Sequence, residues 1–444
     1  MVSCSDGLVV MGTAALQSPW DFGLPLDPPE MALFRREMAL EGFKWDPRVG
    51  DSEILCDYPL YLKQSAWTEL SRLAEQLDQE VLRAESEISC RPDLVRRLSL
   101  PGRIRRQIVG QSTHARGPRV SRYDFHWTSE GWKISEVNSD VPGGYIEASE
   151  FAARFASRVG SGATIPGDPT AALADSIDRH ACGTGPVALV HATAYSDDAQ
   201  VMHHIAAVLR TRGRGVCFAS PDMIFSANTD SPSPPAHILR FFPAEWLPLL
   251  GRRSKWKRYF EDDSIPQTNP ATALLSQSKR WALLWDSLES PVPTWRALCP
   301  AHREVEPLHR PLCTSSVYKP TLGRVGAGIV MPGMAADSKN DLEYLRARKH
   351  LQRDRLCSAV GLRSNWVSQK RFEADGFAQD PNHTLRAVCL GVFVIDGTAC
   401  GVYGRIASGS WIDMYARDIA VLIKQPTSAR REEIHTEHPA VEST

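Results

Sequence analysis

The residues best suited to chemistry stand in two short segments that have the pattern of a β-hairpin. In the first segment, Arg122 and Asp124 alternate with aromatic residues. In the second, Glu136 and Asn138 flank a valine, and Ser-Glu-Gly at 129–131 supplies a turn between the segments. Alternate side chains of a strand share a face, so pairing about this turn would bring the four polar side chains together. Three oxygen-bearing side chains beside an arginine suit a hard divalent cation that holds phosphate. A solvated hairpin with charged surface side chains is the alternative interpretation.

A second candidate region combines glycines with a lysine. Gly323, Gly326 and Gly328 directly follow a predicted strand that carries Lys319. Glycines let backbone N–H groups approach phosphate closely, and the lysine adds positive charge. The segment lacks the Gly-x-x-x-x-Gly-Lys-Ser/Thr pattern of the common P-loop. A plain hairpin turn is therefore the alternative interpretation of this loop.

Several predicted elements would position these and other candidate side chains. A helix that begins at Ser276 or Ser278 carries Lys279, which by itself could be any surface lysine. A strand at 366–369 ends on Gln369, and the last long strand carries Arg405. Further predicted elements are an amphipathic helix over residues 63–89, a β-α-β unit over residues 186–225, and strands at 316–320, 385–394 and 398–406.

The order of these elements suggests how the chain is divided. The predicted parts are an N-terminal segment (1–57), a helical part that contains the hairpin (58–180), a small parallel-sheet domain (181–262), a nucleotide-binding part (263–424) and a tail (425–444). The tail is polar and charged and has no apolar periodicity, so we expect it to be disordered.

Composition excludes several classes of protein. The chain has 444 residues, a formal net charge of −1 and 23% charged residues, which is typical of a soluble globular protein with two or three domains. Near-zero charge argues against a nucleic-acid or membrane-surface partner. No apolar run approaches the ~20 residues of a membrane span, and no basic residue precedes the apolar residues 8–16 as in a signal peptide. The ten cysteines form no Cys-x-x-Cys pair, which indicates a reducing compartment. We therefore expect a cytoplasmic protein.

Five blocks, taken in order between residues 58 and 423, resemble the glutathionylspermidine synthase family of ATP-grasp carboxylate–amine ligases. The blocks are Arg-x-Asp and Glu-x-Asn of the hairpin with Asp140, Pro142, Glu147 and Ala148 after them; Arg240-Phe-Phe-Pro-Ala-Glu-Trp246 with Asn269-Pro270; Ser278-Lys279 through Leu284-Trp285; Lys319-Pro-Thr-Leu-Gly-Arg-Val-Gly326; and Gly401-Val-Tyr-Gly-Arg405. Five blocks in the family's order are far more specific than any one of them.

The resemblance implies a fold, two cofactors and a role for each candidate residue. The implied fold is mixed α/β (α+β), an ATP-grasp fold with a small parallel-sheet pre-ATP-grasp domain, and the cofactors are ATP and Mg²⁺. The resemblance implies that Asp124, Glu136 and Asn138 bind the metal and that Lys279 and Lys319 bind the ATP phosphates. It also implies that the loop from Gly323 through Gly326 to Gly328 closes over the triphosphate and that Gln369 contacts the adenine. Arg122 and Arg405 would neutralise charge on the acyl phosphate and the tetrahedral intermediate.

These roles predict an ATP-dependent ligase that joins the carboxylate of a small molecule or peptide to an amine. We expect the synthetase domain alone, without the cysteine amidase domain of bifunctional family members. The segment after Asn138 reads Ser-Asp-Val-Pro-Gly-Gly-Tyr, where the family usually has Asp-Thr-Pro. The alternatives are an amino-acid or peptide ligase of a biosynthetic pathway with a different acid and amine, a non-catalytic nucleotide-binding regulator, and a scaffold protein. A scaffold has no need of four convergent polar side chains, and a regulator has no need of the complete set of cations and metal ligands.

Overall fold

The computed structural model describes residues 17–110, 117–160, 162–223, 234–251, 254–324, 326–333, 341–373, 379–407, 412–413 and 415–424. The tail that we predicted to be disordered, 425–444, lies outside these ranges. In the described part of the chain, no helix is long and apolar enough to cross a membrane.

The described residues form α-helices spread along the whole chain. They are α1 (Pro28–Leu40), α2 (Gln64–Ser89), α3 (Pro92–Arg97), α4 (Gly102–Ile108), α5 (Ala152–Val159), α6 (Pro169–His180), α7 (Ser196–Thr211), α8 (Arg258–Glu261), α9 (Leu274–Gln277), α10 (Pro293–Leu298) and α11 (Asp341–Ala359).

The strands of the described residues belong to several sheets. They are β1 (Trp20–Phe22), β2 (Arg48–Val49), β3 (Ser52–Glu53), β4 (Leu60–Leu62), β5 (Val120–Thr128), β6 (Gly131–Asn138), β7 (Ala163–Thr164), β8 (Val187–His191), β9 (Val216–Ala219), β10 (His237–Phe241), β11 (Gln267–Thr268), β12 (His302–Arg303), β13 (Ser316–Pro320), β14 (Trp366–Lys370), β15 (Ala387–Ile395), β16 (Thr398–Ala407), β17 (Arg417–Ile419) and β18 (Val421–Lys424).

The central element is a five-stranded antiparallel sheet with the strand order β17-β16-β15-β5-β6. The predicted hairpin is confirmed as β5 and β6, and it joins strands from the C-terminal part of the chain. Helix α2 covers one face with a stripe of buried side chains at helical spacing, including Leu70, Leu77 and Val81. Tyr123 of β5 points to this side, where its hydroxyl donates to Asp78 at 2.7 Å. The residues that alternate with Tyr123 are therefore left on the opposite face of the sheet.

A parallel sheet with the order β11-β10-β8-β9 confirms the β-α-β unit predicted at residues 186–225. Strand β8 is buried at all five positions, as expected for a strand with both faces covered. Helix α7 connects β8 to β9, and the chain then returns to pair β10 on the other side of β8. The carboxyl ends of β8 and β10 therefore flank a point where the strand order reverses.

Two smaller sheets complete the frame of the site. Strands β12, β14 and β13 form an antiparallel sheet, and β1, β4, β18 and β7 form a mixed one that joins the two ends of the described chain. The division of the chain into segments stays a prediction.

One predicted helix differs in type from our expectation. Lys279–Ser287 is a 3₁₀ helix. Its N-cap residue is Ser278, whose hydroxyl accepts a hydrogen bond from the Arg280 backbone N–H. A 3₁₀ helix aligns residues three apart, and this places Trp281 and Leu284 together in the core. Lys279 precedes both and lies at the wall of the cavity described next.

Candidate functional site

The register of the central hairpin brings its four polar residues together. Arg122 stands opposite Asn138, and Asp124 stands opposite Glu136. A β-bulge follows directly, because Ser135 is an extra residue between the Asp124 and Phe125 pairings. The predicted convergence of Arg122, Asp124, Glu136 and Asn138 on one face is confirmed, and all four line the same cavity.

Arg122 and Asp124 form a forked ion pair. The Arg122 Nε lies 2.7 Å from Asp124 Oδ1, and its second terminal nitrogen lies 2.9 Å from Oδ2. The remaining terminal nitrogen donates to the Gly143 carbonyl at 2.6 Å, and the Asn138 amide donates to Asp124 Oδ2 at 3.1 Å. Gly391 of β15 makes room for this pair, because a Cβ there would stand 2.8 Å from Arg122 Cδ.

Two lysines face the hairpin from other elements. The Lys279 Nζ lies 3.1 Å from Glu136 Oε2 and donates to the Gly323 carbonyl at 2.7 Å. The Lys319 Nζ donates to the Ser135 carbonyl at 3.2 Å, so the bulge supplies an acceptor for this buried ammonium. Burial alone would raise the pKa of Glu136, but Lys279 and Lys319 outweigh it and lower that pKa to about 2. Burial and the neighbouring Lys279 lower the pKa of Lys319, although Glu136 opposes the shift.

The glycine loop is attached to the parallel-sheet region by Arg324. This guanidinium contacts both carboxylate oxygens of Glu245, each at 3.0 Å, and Asp140 Oδ2 at 3.1 Å. Asp140 is fully buried and also accepts from Arg240 at 2.6 Å. Gly326 and Gly328 adopt positive φ angles of 71° and 74°, which glycine accommodates without strain. Arg324 therefore anchors the loop, and Gly326 and Gly328 supply backbone conformations that other residues would adopt only with strain.

A single cavity of about 850 Å³ unites ten of the eleven predicted site residues. They are Arg122, Asp124, Glu136, Asn138, Lys279, Lys319, Gly323, Gly326, Gln369 and Arg405. Gly328 is not among the lining residues, and it lies beside the Pro320 ring, where a Cβ would approach to 3.0 Å.

Gln369 and Arg405 line different parts of this cavity. Gln369 lies on β14 opposite Val317 and is almost fully buried, and its amide nitrogen is 3.5 Å from the Ser135 carbonyl. Arg405 on β16 stands opposite Cys389 and donates to the Asp413 carbonyl. The Arg405 Nε is buried and has no hydrogen-bond partner among the described residues.

The cavity also contains an acidic region that our reading of the sequence missed. Asp197 and Asp198 lie in the first turn of helix α7, and Tyr195 and Trp246 line the same cavity. Burial and the adjacent Asp197 raise the pKa of Asp198 to about 7, against a smaller opposing effect of Arg324. The signal that could have identified this region was the strand topology. In parallel sheets, ligands bind beyond the carboxyl ends of the strands, at the point where the strand order reverses. These residues follow β8 and β10 at that point.

The chain is similar to known proteins in sequence and in fold. Residues 28–424 match the family model described as glutathionylspermidine synthase preATP-grasp. Among solved structures, 49 chains match. One is a glutathione synthetase-like effector from Globodera pallida in its apo form, with a TM-score of 0.55 and 12% sequence identity over 90% of this chain and 98% of that chain. At that identity the likeness shows a shared fold. A comparison with curated proteins finds no match.

Proposed function

Because the chain belongs to the glutathionylspermidine synthase family, we propose that it is an ADP-forming ATP-grasp ligase, which makes an amide from a carboxylate and an amine through an acyl phosphate. The observation that carries this proposal is that two lysines, two arginines, glycines of the loop and a pair of aspartates line one cavity. Phosphoryl transfer is mainly positioning and charge neutralisation, so it requires cations and backbone donors rather than a nucleophilic side chain.

The lysine side of the cavity would hold ATP. Lys279 and Lys319 are two ammonium groups around Glu136, and both reach the same cavity. The loop at Gly323 would bring backbone N–H groups to the phosphates, since glycine permits close approach. Gln369 would contact the adenine, because its amide is buried on the strand that pairs with the strand of Lys319.

The hairpin residues fit a magnesium ion. In the described part of the chain, no group of three or more His, Cys, Asp and Glu side chains could hold a metal. Mg²⁺, however, is usually held by one or two carboxylates together with substrate phosphates and water. Asp124 and Glu136 stand opposite each other, and Asn138 adds an amide beside them. These three residues would hold the ion, which when bound would neutralise charge on the phosphates.

Arg122 and Arg405 would stabilise the negative charge that develops during the reaction. Arg122 is held in position by Asp124 and by the Gly143 carbonyl. Arg405 lines the cavity, where its guanidinium would face an anionic ligand. The substrate carboxylate would attack the γ-phosphate near Arg122, and the amine would then displace phosphate through a tetrahedral oxyanion facing Arg405.

The acidic region would receive the amine. Asp197 and Asp198 supply two carboxylates, which attract an ammonium group. A carboxylate whose pKa is about 7, as for Asp198, would also accept a proton from the amine at neutral pH. Tyr195 and Trp246 would contact the apolar part of such a substrate.

Trapping the intermediate tests the proposed reaction. The enzyme is incubated with ATP, Mg²⁺ and a panel of amino acids, di- and tripeptides and dicarboxylic acids, with hydroxylamine in place of the amine. Because hydroxylamine captures an acyl phosphate, we expect a hydroxamate and ADP in equal amounts with the correct acid. AMP and pyrophosphate would instead indicate adenylation and would contradict the acyl-phosphate route.

The metal role of Glu136 gives a further prediction. Glu136→Gln should reduce activity at least about ten-fold, or about 1.4 kcal/mol of transition-state stabilisation, and raise the Mg²⁺ concentration needed for half-maximal activity. The matched control is Glu130→Gln in the turn of the same hairpin, where the side chain is 74% exposed. Steady-state kinetics with titrated Mg²⁺ measure both effects. A Glu136→Gln variant with the parent's activity and Mg²⁺ dependence would refute the assignment.

A further inference from the structure

We propose that Lys44 and Tyr403 are positioning residues for Arg122, connected through Asp418, so that the N-terminal segment (residues 17–57) helps to build the active site. The inference rests on the proposed function, because the role of Arg122 in ligation is part of that function. It assigns a role to a part of the chain in which the sequence shows no candidate site residue.

The position of Tyr403 in the central sheet brings it to Arg122. Tyr403 stands opposite Gly391 on β15, and Gly391 stands opposite Asp124 on β5. Paired residues share a face, so the three lie in one row across the sheet. Gly391 has no side chain, and the Arg122 side chain extends over it, since a Cβ there would stand 2.8 Å from Arg122 Cδ. The Arg122 guanidinium carbon lies 5.2 Å from the centre of that ring, within the range of a cation–π contact.

A second glycine holds the other side of the ring. Gly144 has a φ of 101°, and a Cβ there would stand 2.6 Å from Tyr403 Cδ1. The preceding residue, Gly143, is the one whose carbonyl accepts from Arg122. The ring therefore contacts both Gly144 and the Arg122 guanidinium, and its position constrains the guanidinium and the carbonyl that holds it.

The hydroxyl of Tyr403 ties this ring to a buried ionic group. It donates to Asp418 Oδ1 at 2.7 Å. The other oxygen of Asp418 lies 3.2 Å from Lys44 Nζ, and Lys44 also donates to Glu147. The side chains of Lys44, Glu147 and Asp418 are each no more than 9% exposed. Burial alone would lower the pKa of Lys44, but Asp418 and Glu147 outweigh it and raise that pKa, so the ammonium stays charged.

The N-terminal segment brings Lys44 to this place through its own contacts. The Asp418 backbone N–H donates to the Ile54 carbonyl at 2.6 Å, and the Cys56 N–H donates to the Asp418 carbonyl at 2.8 Å. The Trp45 N–H donates to the side chain of Gln200, which lines the cavity. The segment thus contacts the sheet edge at Asp418 and the cavity wall at α7.

Removing the ammonium would leave two facing carboxylates. Glu147 and Asp418 both contact Lys44, and Glu147 lines the cavity. Without the lysine, their mutual repulsion and the cost of burial favour protonation of one carboxylate and a rearrangement of the pair. The Asp418–Tyr403 hydrogen bond is the contact through which that rearrangement would reach Arg122. The effect is expected on the rate of the chemical step and not on binding of the amine, because Arg122 contacts Asp124 and Gly143 and not the acidic region.

The test uses Tyr403→Phe and Lys44→Met in the full-length chain. Tyr403→Phe keeps the ring and removes the tether to Asp418, and Lys44→Met keeps the length of the side chain and removes its charge. Each should lower kcat about ten-fold or more and change the KM for the amine less than about two-fold, as expected for residues that orient a catalytic group. The double variant should be no slower than the worse single variant, because both changes break one connection. Lys63→Met is the control, since the Lys63 side chain is exposed and its ammonium donates to the Ser18 carbonyl, away from the cavity lining.

Crystal structures of the same variants test the inference without activity. We expect the Arg122 guanidinium to move by about 1 Å or more from its place on Asp124 and Gly143, a displacement large enough to impair catalysis. An unmoved Arg122, a Tyr403→Phe variant with the parent's kcat, or effects that multiply in the double variant would each overturn the proposal. If the parent releases no ADP with any acid and amine, the proposed function fails, and the Arg122 positions still decide this inference. If Lys44→Met does not fold, Tyr403→Phe decides it alone.

Discussion

Replacing Asp140 with asparagine should lower the free energy of unfolding by about 3–5 kcal/mol, the usual cost of removing one partner of a buried ion pair. The Asp140 side chain is 0% exposed, and it accepts from Arg240 at 2.6 Å, from Arg324 at 3.1 Å and from the Ala244 backbone N–H at 2.9 Å. Arg324 keeps Glu245 as a partner in the variant. Arg240, whose side chain is 1% exposed, would keep its charge without a carboxylate.

The pH dependence of stability gives this prediction a sign that can be checked. Burial alone would raise the pKa of Asp140, but Arg240 and Arg324 outweigh it and hold the pKa below its ordinary value. A depressed pKa in the folded state stabilises the protein above the unfolded pKa of about 4, and this contribution is lost as the pH falls through the folded pKa. The difference in stability between the parent and Asp140→Asn should therefore be largest at neutral pH and shrink in acid.

Urea unfolding followed by tryptophan fluorescence measures the effect at several pH values. The matched control is Asp93→Asn, because Asp93 is 57% exposed and lies 3.7 Å from its arginine partner. Surface pairs of this kind contribute less than about 1 kcal/mol. Equal stability losses in the two variants would contradict the structural role of Asp140.

Arg405→Met should lower the rate of amide formation by about 10²–10³-fold, the cost of removing one donor that stabilises a developing oxyanion. The arginine lines the cavity, and its buried Nε has no hydrogen-bond partner among the described residues. Charge concentrates on a single oxygen in the tetrahedral intermediate of the second step. We therefore expect the loss to be larger for the transfer of the acyl group to the amine than for the formation of the acyl phosphate.

Rapid-quench measurements separate the two steps, since ADP marks the first and the amide marks the second. The control is Arg296→Met on helix α10, where the guanidinium is 49% exposed, pairs with Asp286 at 2.7 Å and is not among the residues that line the cavity. Arg405→Lys should recover only part of the activity, because an ammonium lacks the planar fork of donors. An Arg405→Met variant that forms the amide at the parent's rate would remove Arg405 from the mechanism.

Local patterns in the sequence determined the composition of the candidate site. The alternation around Arg122 and Glu136 specified which side chains share a face, because the two-residue period of a strand is a local property of the backbone. The turn at 129–131 then set the register of two adjacent strands. The β-α-β unit was predicted in the same way, from a buried strand followed by an amphipathic helix. The roles of Lys279, Gln369 and Arg405 came from the family resemblance, and ten of the eleven proposed site residues line one cavity.

Local sequence patterns did not predict the bulge at Ser135 or the 3₁₀ helix that starts at Lys279. Ser135 continues the alternation in the sequence, yet it is inserted as an extra residue, and its carbonyl then meets Lys319 and Gln369. Lys279 begins a segment whose apolar spacing fits either helix type. Both outcomes depend on which packing satisfies partners from distant parts of the chain.

Only the tertiary structure decided which residues from distant segments meet at the cavity. Strand β5 pairs with β15, and this brings Gly391 under the Arg122–Asp124 pair. Lys44 meets Asp418 from the opposite end of the chain, and Asp198 opens onto the same cavity as Lys319. The periodicity of the sequence does not predict these contacts. They depend on strand pairing between distant segments and on the burial of oppositely charged side chains beside each other. Such contacts form only when the whole chain provides the apolar surface that offsets the entropy of bringing distant segments together.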